Sequence, residues 1–256
     1  MKIAVYIATT AGPIKIERII GENVPQSNVF IGRGYDPLEP LSTKYELFVA
    51  PGGPVEREFG PCDFNSFRLE LANRIDTGNS WELAVIVAHG LSKIGQLADN
   101  KTHAEKTIIL TGQIDTDRNV HAVKHIEEKI KASLDLITNI NSKGSEVTFF
   151  VPESKTLDLN QFFKIGLSIK PVKSVKQVFE HVGSGANIFK LGNDPKFSVA
   201  ESLIEKTVRN YSKFIKFGLF LIIIFGGGLI YFSETSTPIR LSQKELDSKG
   251  MSDNTP

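Results

Sequence analysis

The stretch that decides the fold runs from Thr111 to Lys129 and reads TGQIDTDRNVHAVKHIEEK. It continues a nearly unbroken apolar run, so residues 107–114 are predicted to form a strand that is buried on both faces. The polar residues that follow predict a tight turn and a second short strand, and a helix is predicted from His125 to about Leu136. A buried strand that leads through a turn into a helix is typical of a layered α/β domain.

The same alternation extends through the first 182 residues. Alternating or clustered apolar residues between breakers predict strands over 2–9, 14–20, 45–50, 67–71, 107–114, 146–151 and 165–172. Apolar residues at helical spacing predict helices over 81–97, 125–136 and 175–182, with 21–44 and 98–106 as irregular segments. The fold class is therefore predicted to be α/β.

Three short motifs in this region carry residues with possible chemistry: Gly78-Asn79-Ser80 before a predicted helix, Thr111-Gly112 on the buried strand, and Glu128-Lys129 in the following helix. A strand that ends in Val151-Pro152-Glu153 and the segment LSIKPVKSVKQVFEHV, residues 167–182, follow in order. In this order the motifs resemble the proteolytic domain of Lon proteases. The resemblance covers about residues 67–182, and residues 1–66 match that family only loosely.

The resemblance implies a serine peptidase with a layered Lon-like fold. Ser80 would be the nucleophile, Lys129 the general base and Thr111 the residue that orients the lysine. A serine hydroxyl needs a base to take its proton, and a lysine can be that base only when burial lowers its pKa from about 10.4. Peptide or protein substrates, a bacterial origin and a homo-oligomeric ring are expected from the resemblance alone.

A second interpretation of the same residues remains open. Ser80 is also a favoured helix-capping residue, and Lys129 could be a solvated helix lysine paired with a glutamate. Where the family has Ala-Gly after its serine, this chain has Trp81-Glu82. The alternative function is therefore a catalytically inactive Lon-like domain that acts as a membrane-anchored binding or scaffold module, or one that senses a ligand.

Other classes of function find little support in the sequence. The formal net charge of +1 gives no general attraction for nucleic acid. No G-x-x-x-x-G-K-[ST] motif occurs, so no P-loop supplies ATP energy and no cofactor is predicted. His121 and His125 lack a third ligand at metal-binding spacing, so no metal site is predicted. The single cysteine, Cys62, has no nearby base in the sequence.

Residues 217–233, FGLFLIIIFGGGLIYFS, carry no charge and are predicted to form one transmembrane helix. Arg209, Lys213 and Lys216 precede it, so the positive-inside rule predicts a cytoplasmic N-terminal domain at the inner, or plasma, membrane. The complete prediction is a Lon-like domain over 1–183, a linker over 184–198, a juxtamembrane helix over 199–216, the span over 217–233 and a disordered tail over 234–256.

Overall fold

The computed structural model describes residues 1–75, 78–154, 162 and 167–184. All of them fall in the first of the two units into which the chain divides, Met1–Phe197. They form a mixed sheet of seven strands with helices, which confirms the predicted α/β class. The predicted juxtamembrane helix, transmembrane span and tail lie outside the described residues. Within the described part, no helix is both long enough and apolar enough to cross a membrane.

The strands and helices occur in mixed order along the chain. The strands are β1 (Ile3–Ile7), β2 (Ile14–Glu22), β3 (Asn28–Ile31), β4 (Ser66–Leu71), β5 (Lys106–Leu110), β6 (Gln113–Ile114), β7 (Val120–His121), β8 (Glu146–Pro152) and β9 (Ile169–Val172). The helices are α1 (Leu41–Val49), α2 (Pro54–Phe59), α3 (Glu82–Lys93), α4 (Ile126–Ala132), α5 (Leu134–Ser142) and α6 (Val175–Val182).

The large sheet has the strand order β3-β4-β2-β1-β5-β8-β9. Strands β1, β5, β8 and β9 pair in parallel, as βαβ-type crossovers require. Strand β2 is antiparallel to both β1 and β4, whereas β3 at the opposite edge is parallel to β4. Strands β6 and β7 form a separate antiparallel pair.

Helices cover the two faces of the sheet and create two apolar clusters. One cluster joins the sheet to α1, α2, α3 and α6, and the other joins it to α4 and α5. Neighbouring residues on one strand alternate between the clusters: Ile108 and Leu110 belong to the first and Ile109 to the second. The parallel half of the sheet is therefore buried on both sides, as the apolar run before Thr111 predicted.

Several predicted boundaries are wrong. Residues 45–49 belong to helix α1 and residue 50 is its C-cap. Residues 107–114 divide between β5 and the separate strand β6. The helix predicted over 125–136 is two helices, because the chain breaks at Ser133 between α4 and α5. The segment 21–44 was predicted to be irregular but contains β3 and the start of α1, and helix α2 was not predicted.

Candidate active site

Lys129 is a buried lysine on helix α4. Only 6% of the residue is exposed, and its Nζ donates a hydrogen bond of 3.1 Å to Oγ1 of Thr111. Thr111 is itself fully buried and directly follows the end of strand β5. Removal of the amine from water lowers the pKa of Lys129, because burial disfavours the charged form. The interpretation of Lys129 as a solvated helix lysine is therefore wrong.

The start of helix α4 directs Lys129 inward. His125 precedes the helix with a left-handed backbone, φ 61°, a conformation that non-glycine residues seldom adopt. The backbone N–H of Lys129 then donates to the carbonyl oxygen of His125 at 3.0 Å and closes the first turn. Ile126 and Ile130 on the same helix are buried in the second apolar cluster. The buried side of α4 therefore includes Lys129 between two apolar anchors.

Ser80 is half-buried and lies just before helix α3. Helix α3 begins at Glu82, and its capping position is Trp81, with no side-chain capping bond. The Ser80 hydroxyl makes no hydrogen bond to any residue in the described ranges. The interpretation of Ser80 as an ordinary helix cap is therefore wrong, and its hydroxyl is available for other contacts.

Three hydrogen bonds join the chain around Ser80 to the chain around Thr111. The N–H of Gly112 donates to the carbonyl oxygen of Ser80, and the N–H of Leu83 donates to the carbonyl oxygen of Gly112, both at 3.1 Å. The N–H of Ile114 donates to Oε2 of Glu82 at 2.8 Å. We call this set the cross-link between residues 80–83 and 112–114. It fixes the chain from Ser80 onward to the chain that follows Thr111.

Gly112 is the residue that makes this approach possible. A Cβ atom at that position would lie 2.8 Å from Cγ1 of Val120 and 3.2 Å from Cδ2 of Leu83. Such distances are shorter than ordinary van der Waals contact, so any side chain would push helix α3 and strand β7 apart. Glycine therefore lets helix α3 pack directly against the backbone beside Thr111.

Ser80 and Lys129 both line one cavity of about 620 Å³. This size falls within the usual range for small-molecule and peptide-binding sites. The described residues that line the cavity come from β1 and the loops around β6, α3 and α4: Ile7, Thr9, Thr10, Ile75, Gly78, Asn79, Ser80, Trp81, Gln113, Ala122, Val123, Lys124, His125 and Lys129. Thr111 does not line this cavity, but its hydroxyl oxygen accepts a hydrogen bond from Lys129, which does.

Trp81 and Glu82 stand where the Lon family, which this chain resembles in sequence, has small residues. Both side chains have defined structural roles. The indole packs edge-on against Phe48, with ring centroids 5.1 Å apart, and Trp81 is 3% exposed. Its Nε1 donates to the carbonyl oxygen of Gly78 at 2.9 Å. Glu82 is buried and does not line the cavity, because its carboxylate accepts the Ile114 N–H. Burial raises the pKa of Glu82, against the lowering effect of that bond and of Lys44.

Two backbone N–H groups at the start of helix α3 already have acceptors. The N–H of Glu82 donates to the carbonyl oxygen of Asn79 at 3.2 Å, and that of Leu83 is used by Gly112. These two groups cannot also hold an oxyanion. The N–H groups of Ser80 and Trp81 bond no described residue, so they are the donors available near the serine.

Other residues of the region are positioned by local contacts. His121 Nε2 lies 2.5 Å from Oδ2 of Asp115, and the same carboxylate accepts the backbone N–H groups of Asp117 and Asn119. These bonds hold the pKa of Asp115 well below its usual range. They order the turn between β6 and β7, and the described residues contain no cluster of three or more metal-ligating side chains.

Sequence reasoning did not identify Gln113, Lys124 or His125 as lining residues of the cavity. All three neighbour the Thr111 or Lys129 motif in the sequence, so that proximity was the only available signal. Comparison of the chain with protein-family models gives no match, and comparison with curated proteins gives none either.

Proposed function

We propose that this chain is a membrane-tethered, ATP-independent serine peptidase of the Lon-like type, with Ser80 as nucleophile and Lys129 as general base. The observation that carries the proposal is the buried amine of Lys129, held by Thr111 at a cavity that Ser80 also lines. A buried lysine without a carboxylate partner is costly to fold and is typical of functional sites. The Lon-like assignment and the membrane tether rest on the sequence motifs and on residues 217–233.

The reaction would proceed through an acyl-enzyme. The neutral amine of Lys129 takes the proton of the Ser80 hydroxyl as the oxygen attacks the carbonyl carbon of the peptide. The protonated amine then gives this proton to the departing nitrogen as the C–N bond breaks. Water, deprotonated by the same amine, then attacks the ester carbonyl. As the ester C–O bond breaks, the ammonium returns this proton to the Ser80 oxygen, which releases the acid and restores the serine and the neutral lysine. Thr111 would hold the amine toward the serine in both steps, since its oxygen accepts one N–H.

The cavity favours an extended peptide segment as substrate. Its walls combine apolar side chains such as Ile7 and Val123 with polar groups such as Gln113 and Asn79. Because residues 1–256 contain no P-loop motif, the proposed activity is independent of ATP and would cleave exposed, flexible segments of a partner or of the chain itself. Tethering would restrict those partners to proteins at the membrane surface.

The first prediction tests the catalytic pair. Digestion of a proteome-derived peptide library by the full chain, read by mass spectrometry, should yield new termini. Ser80→Ala and Lys129→Ala should each lower kcat/KM by roughly 1,000-fold or more, because the nucleophile and its base act as a unit.

The matched controls are Ser142→Ala and Lys131→Ala, which change exposed residues on α5 and α4. Both should retain the activity of the unchanged chain. Full activity in either site variant would overturn the assignment. A folded chain that cleaves nothing at all would favour the binding or scaffold module instead.

A further inference from the structure

A second cavity, of about 240 Å³, lies between strands β2 and β4 and helices α2 and α3. It shares no lining residue with the cavity that contains Ser80 and Lys129. The loop 60–65 forms its outer side and carries Cys62 and Phe64. The chemistry proposed for Ser80 and Lys129 uses none of these groups.

Three phenylalanines form most of the wall: Phe59, Phe64 and Phe67. Phe64 is 45% exposed and packs edge-on against Phe67, with ring centroids 6.5 Å apart. Its ring occupies the space above Gly21, where a Cβ atom would lie only 2.0 Å from Cδ2 of Phe64. Strand β2 therefore needs glycine at this point to seat the ring. The cavity thus has an aromatic outer wall that solvent can reach.

His89 supplies the polar side of this cavity. The residue is 5% exposed, and its Nε2 lies 3.0 Å from the hydroxyl oxygen of the fully buried Tyr45. Burial lowers the pKa of His89 to about 3, so the ring is neutral at ordinary pH. The Tyr45 hydroxyl can donate its proton only if Nε2 is the acceptor, and in that tautomer Nδ1 carries the ring proton.

Nδ1 of His89 bonds no residue in the described ranges. Among the described residues, every side-chain nitrogen or oxygen that solvent cannot reach has a hydrogen-bond partner. Because Nδ1 has no partner in those ranges, it is not sealed inside the protein. His89 is one of the residues that line the cavity. The ring of His89 is nine-tenths buried and lines this aromatic pocket, and its Nδ1 has no partner in the described ranges.

The two charged side chains that line the pocket, Lys93 and Asp63, belong to exposed residues. The ammonium of Lys93 donates to the carbonyl oxygens of Phe59 and Pro61, at 2.6 and 3.5 Å, and is thereby tied to the backbone of the loop. Asp63 is exposed at the rim. Burial raises the pKa of the half-buried Cys62 thiol, which keeps it in the neutral form.

We propose that this pocket binds a small, uncharged aromatic molecule with one hydrogen-bond acceptor. Its rings would pack among Phe59, Phe64 and Phe67, and its acceptor would face His89 Nδ1. An apolar cavity of about 150 Å³ in another protein is known to hold benzene, so about 240 Å³ suits a two-ring molecule. The proposal does not depend on peptide cleavage and is tested without it.

Cys62 is the only cysteine of the chain and provides the reporter. The probe is quinoline, a neutral two-ring molecule with one acceptor nitrogen, and the measurement is the rate at which iodoacetamide alkylates Cys62 in the full chain. Quinoline at about ten times its dissociation constant should slow this rate roughly tenfold, because occupied protein is shielded. N-methylquinolinium, of similar shape but charged and without an acceptor, should give no protection.

Two variants complete the test. Ser92→Phe places a ring in the pocket from helix α3 and should abolish protection, whereas Ser142→Phe, on the exposed end of α5, should leave protection unchanged. Phe64→Ala removes the outer wall and should weaken protection even if Ser92→Phe does not fold. An unchanged alkylation rate with quinoline would overturn the proposal. Equal protection by N-methylquinolinium, or undiminished protection in both pocket variants, would also overturn it.

Discussion

At the scale of single residues, the amine of Lys129 is the group whose environment most affects the proposed chemistry. Thr111 is its only hydrogen-bond partner among the described residues, and no carboxylate in those ranges forms an ion pair with it. A lone buried amine loses hydration and gains little in return, so its neutral form is favoured. The neutral amine of Lys129 is therefore available to accept a proton at a lower pH than the amine of an exposed lysine is.

The second prediction concerns the pH dependence of cleavage. Activity should rise with pH through a single ionisation, because only neutral Lys129 can accept the Ser80 proton, and its midpoint should lie below the ordinary lysine value of 10.5. Thr111→Val should lower the plateau on the order of 100-fold by releasing the amine, while Thr111→Ser retains the hydroxyl and serves as control. A kcat/KM profile that does not rise with pH below 10.5 would argue against this base.

The third prediction is that Lys129→Met stabilises the fold. The pKa of Lys129 is lowered in the folded state. Between that lowered pKa and 10.5 the unfolded chain therefore binds more protons than the folded chain does, so the free energy of unfolding rises with pH in this interval. The variant removes this penalty and should gain roughly 0.5–2 kcal/mol in urea unfolding at neutral pH, a gain that disappears above about pH 10.5. Lys131→Met, which changes an exposed residue, should show no such effect. A loss of stability in Lys129→Met at neutral pH would contradict the argument.

The sequence could predict which side chains matter but not how their neighbours are arranged. Ser80, Thr111 and Lys129 follow from motif order. The structure joins Lys129 to Thr111 by a hydrogen bond and places Lys129 and Ser80 on one cavity, but it shows no hydrogen bond between Ser80 and Lys129. The role of Glu82 depends on a strand 32 residues away, because its carboxylate accepts the Ile114 N–H. Such a contact depends on tertiary packing and leaves no periodic signal in the sequence.

At the scale of elements, the cross-link between residues 80–83 and 112–114 connects the chain before α3 to the chain after β5. Glu82 is the only side chain in it, and the other two bonds are between backbone groups. Because a backbone N–H in a buried position needs a partner, the carboxylate fixes the short strand β6 against the helix.

The fourth prediction tests this connection. Glu82→Ala leaves the Ile114 N–H without its acceptor and should cost about 1–3 kcal/mol in urea unfolding. It should also lower kcat more than it raises KM, because Ser80 shifts relative to Lys129. Glu82→Gln retains an oxygen acceptor and should recover most of both quantities. If Glu82→Gln is as impaired as Glu82→Ala, the negative charge rather than the hydrogen bond is what the fold requires.

Several predicted element types are confirmed, whereas the strand predicted over 45–50 is wrong. The strands β1, β4, β5 and β8 and the helix α6 all lie within or close to their predicted ranges. Within residues 45–50, Leu47 is 71% exposed. Because it is apolar, it made the segment resemble the alternating pattern of a strand. The buried Tyr45, Phe48 and Val49 instead follow the helical spacing of α1, whose start at Leu41 lacks a side-chain cap.

At the scale of the whole molecule, the candidate site lies where the parallel half of the sheet is covered by helices on both faces. Ser80 precedes a helix of one layer, Lys129 belongs to a helix of the other, and Thr111 follows the strand between them. The site thus depends on both layers packing correctly, and the α/β alternation in the sequence predicts this arrangement only in outline.

The fifth prediction concerns attachment to the membrane. The full chain should sediment with membranes and resist extraction at high pH, since residues 217–233 carry no charge and can span the hydrocarbon core. Deletion of 217–233 should release the protein, whereas deletion of 241–256 should not. Added protease should cleave the N-terminal domain only after the membrane is opened, if that domain is cytoplasmic. Release of the full chain by alkaline carbonate would contradict a transmembrane anchor.

The strand order also has a consequence for synthesis on the ribosome. On one side of β1, strands β5, β8 and β9 are added in the order in which they are translated. The backbone N–H of Thr111 gains its partner only when Phe150 of β8 has emerged, and that of Val120, beside Gly112, waits for Lys173. A nascent chain already containing Ser80 and Lys129 therefore still lacks the backbone partners of Thr111 and Val120. If the chain has the proposed peptidase activity, that activity would appear late in translation, and the growing chain would be protected from it.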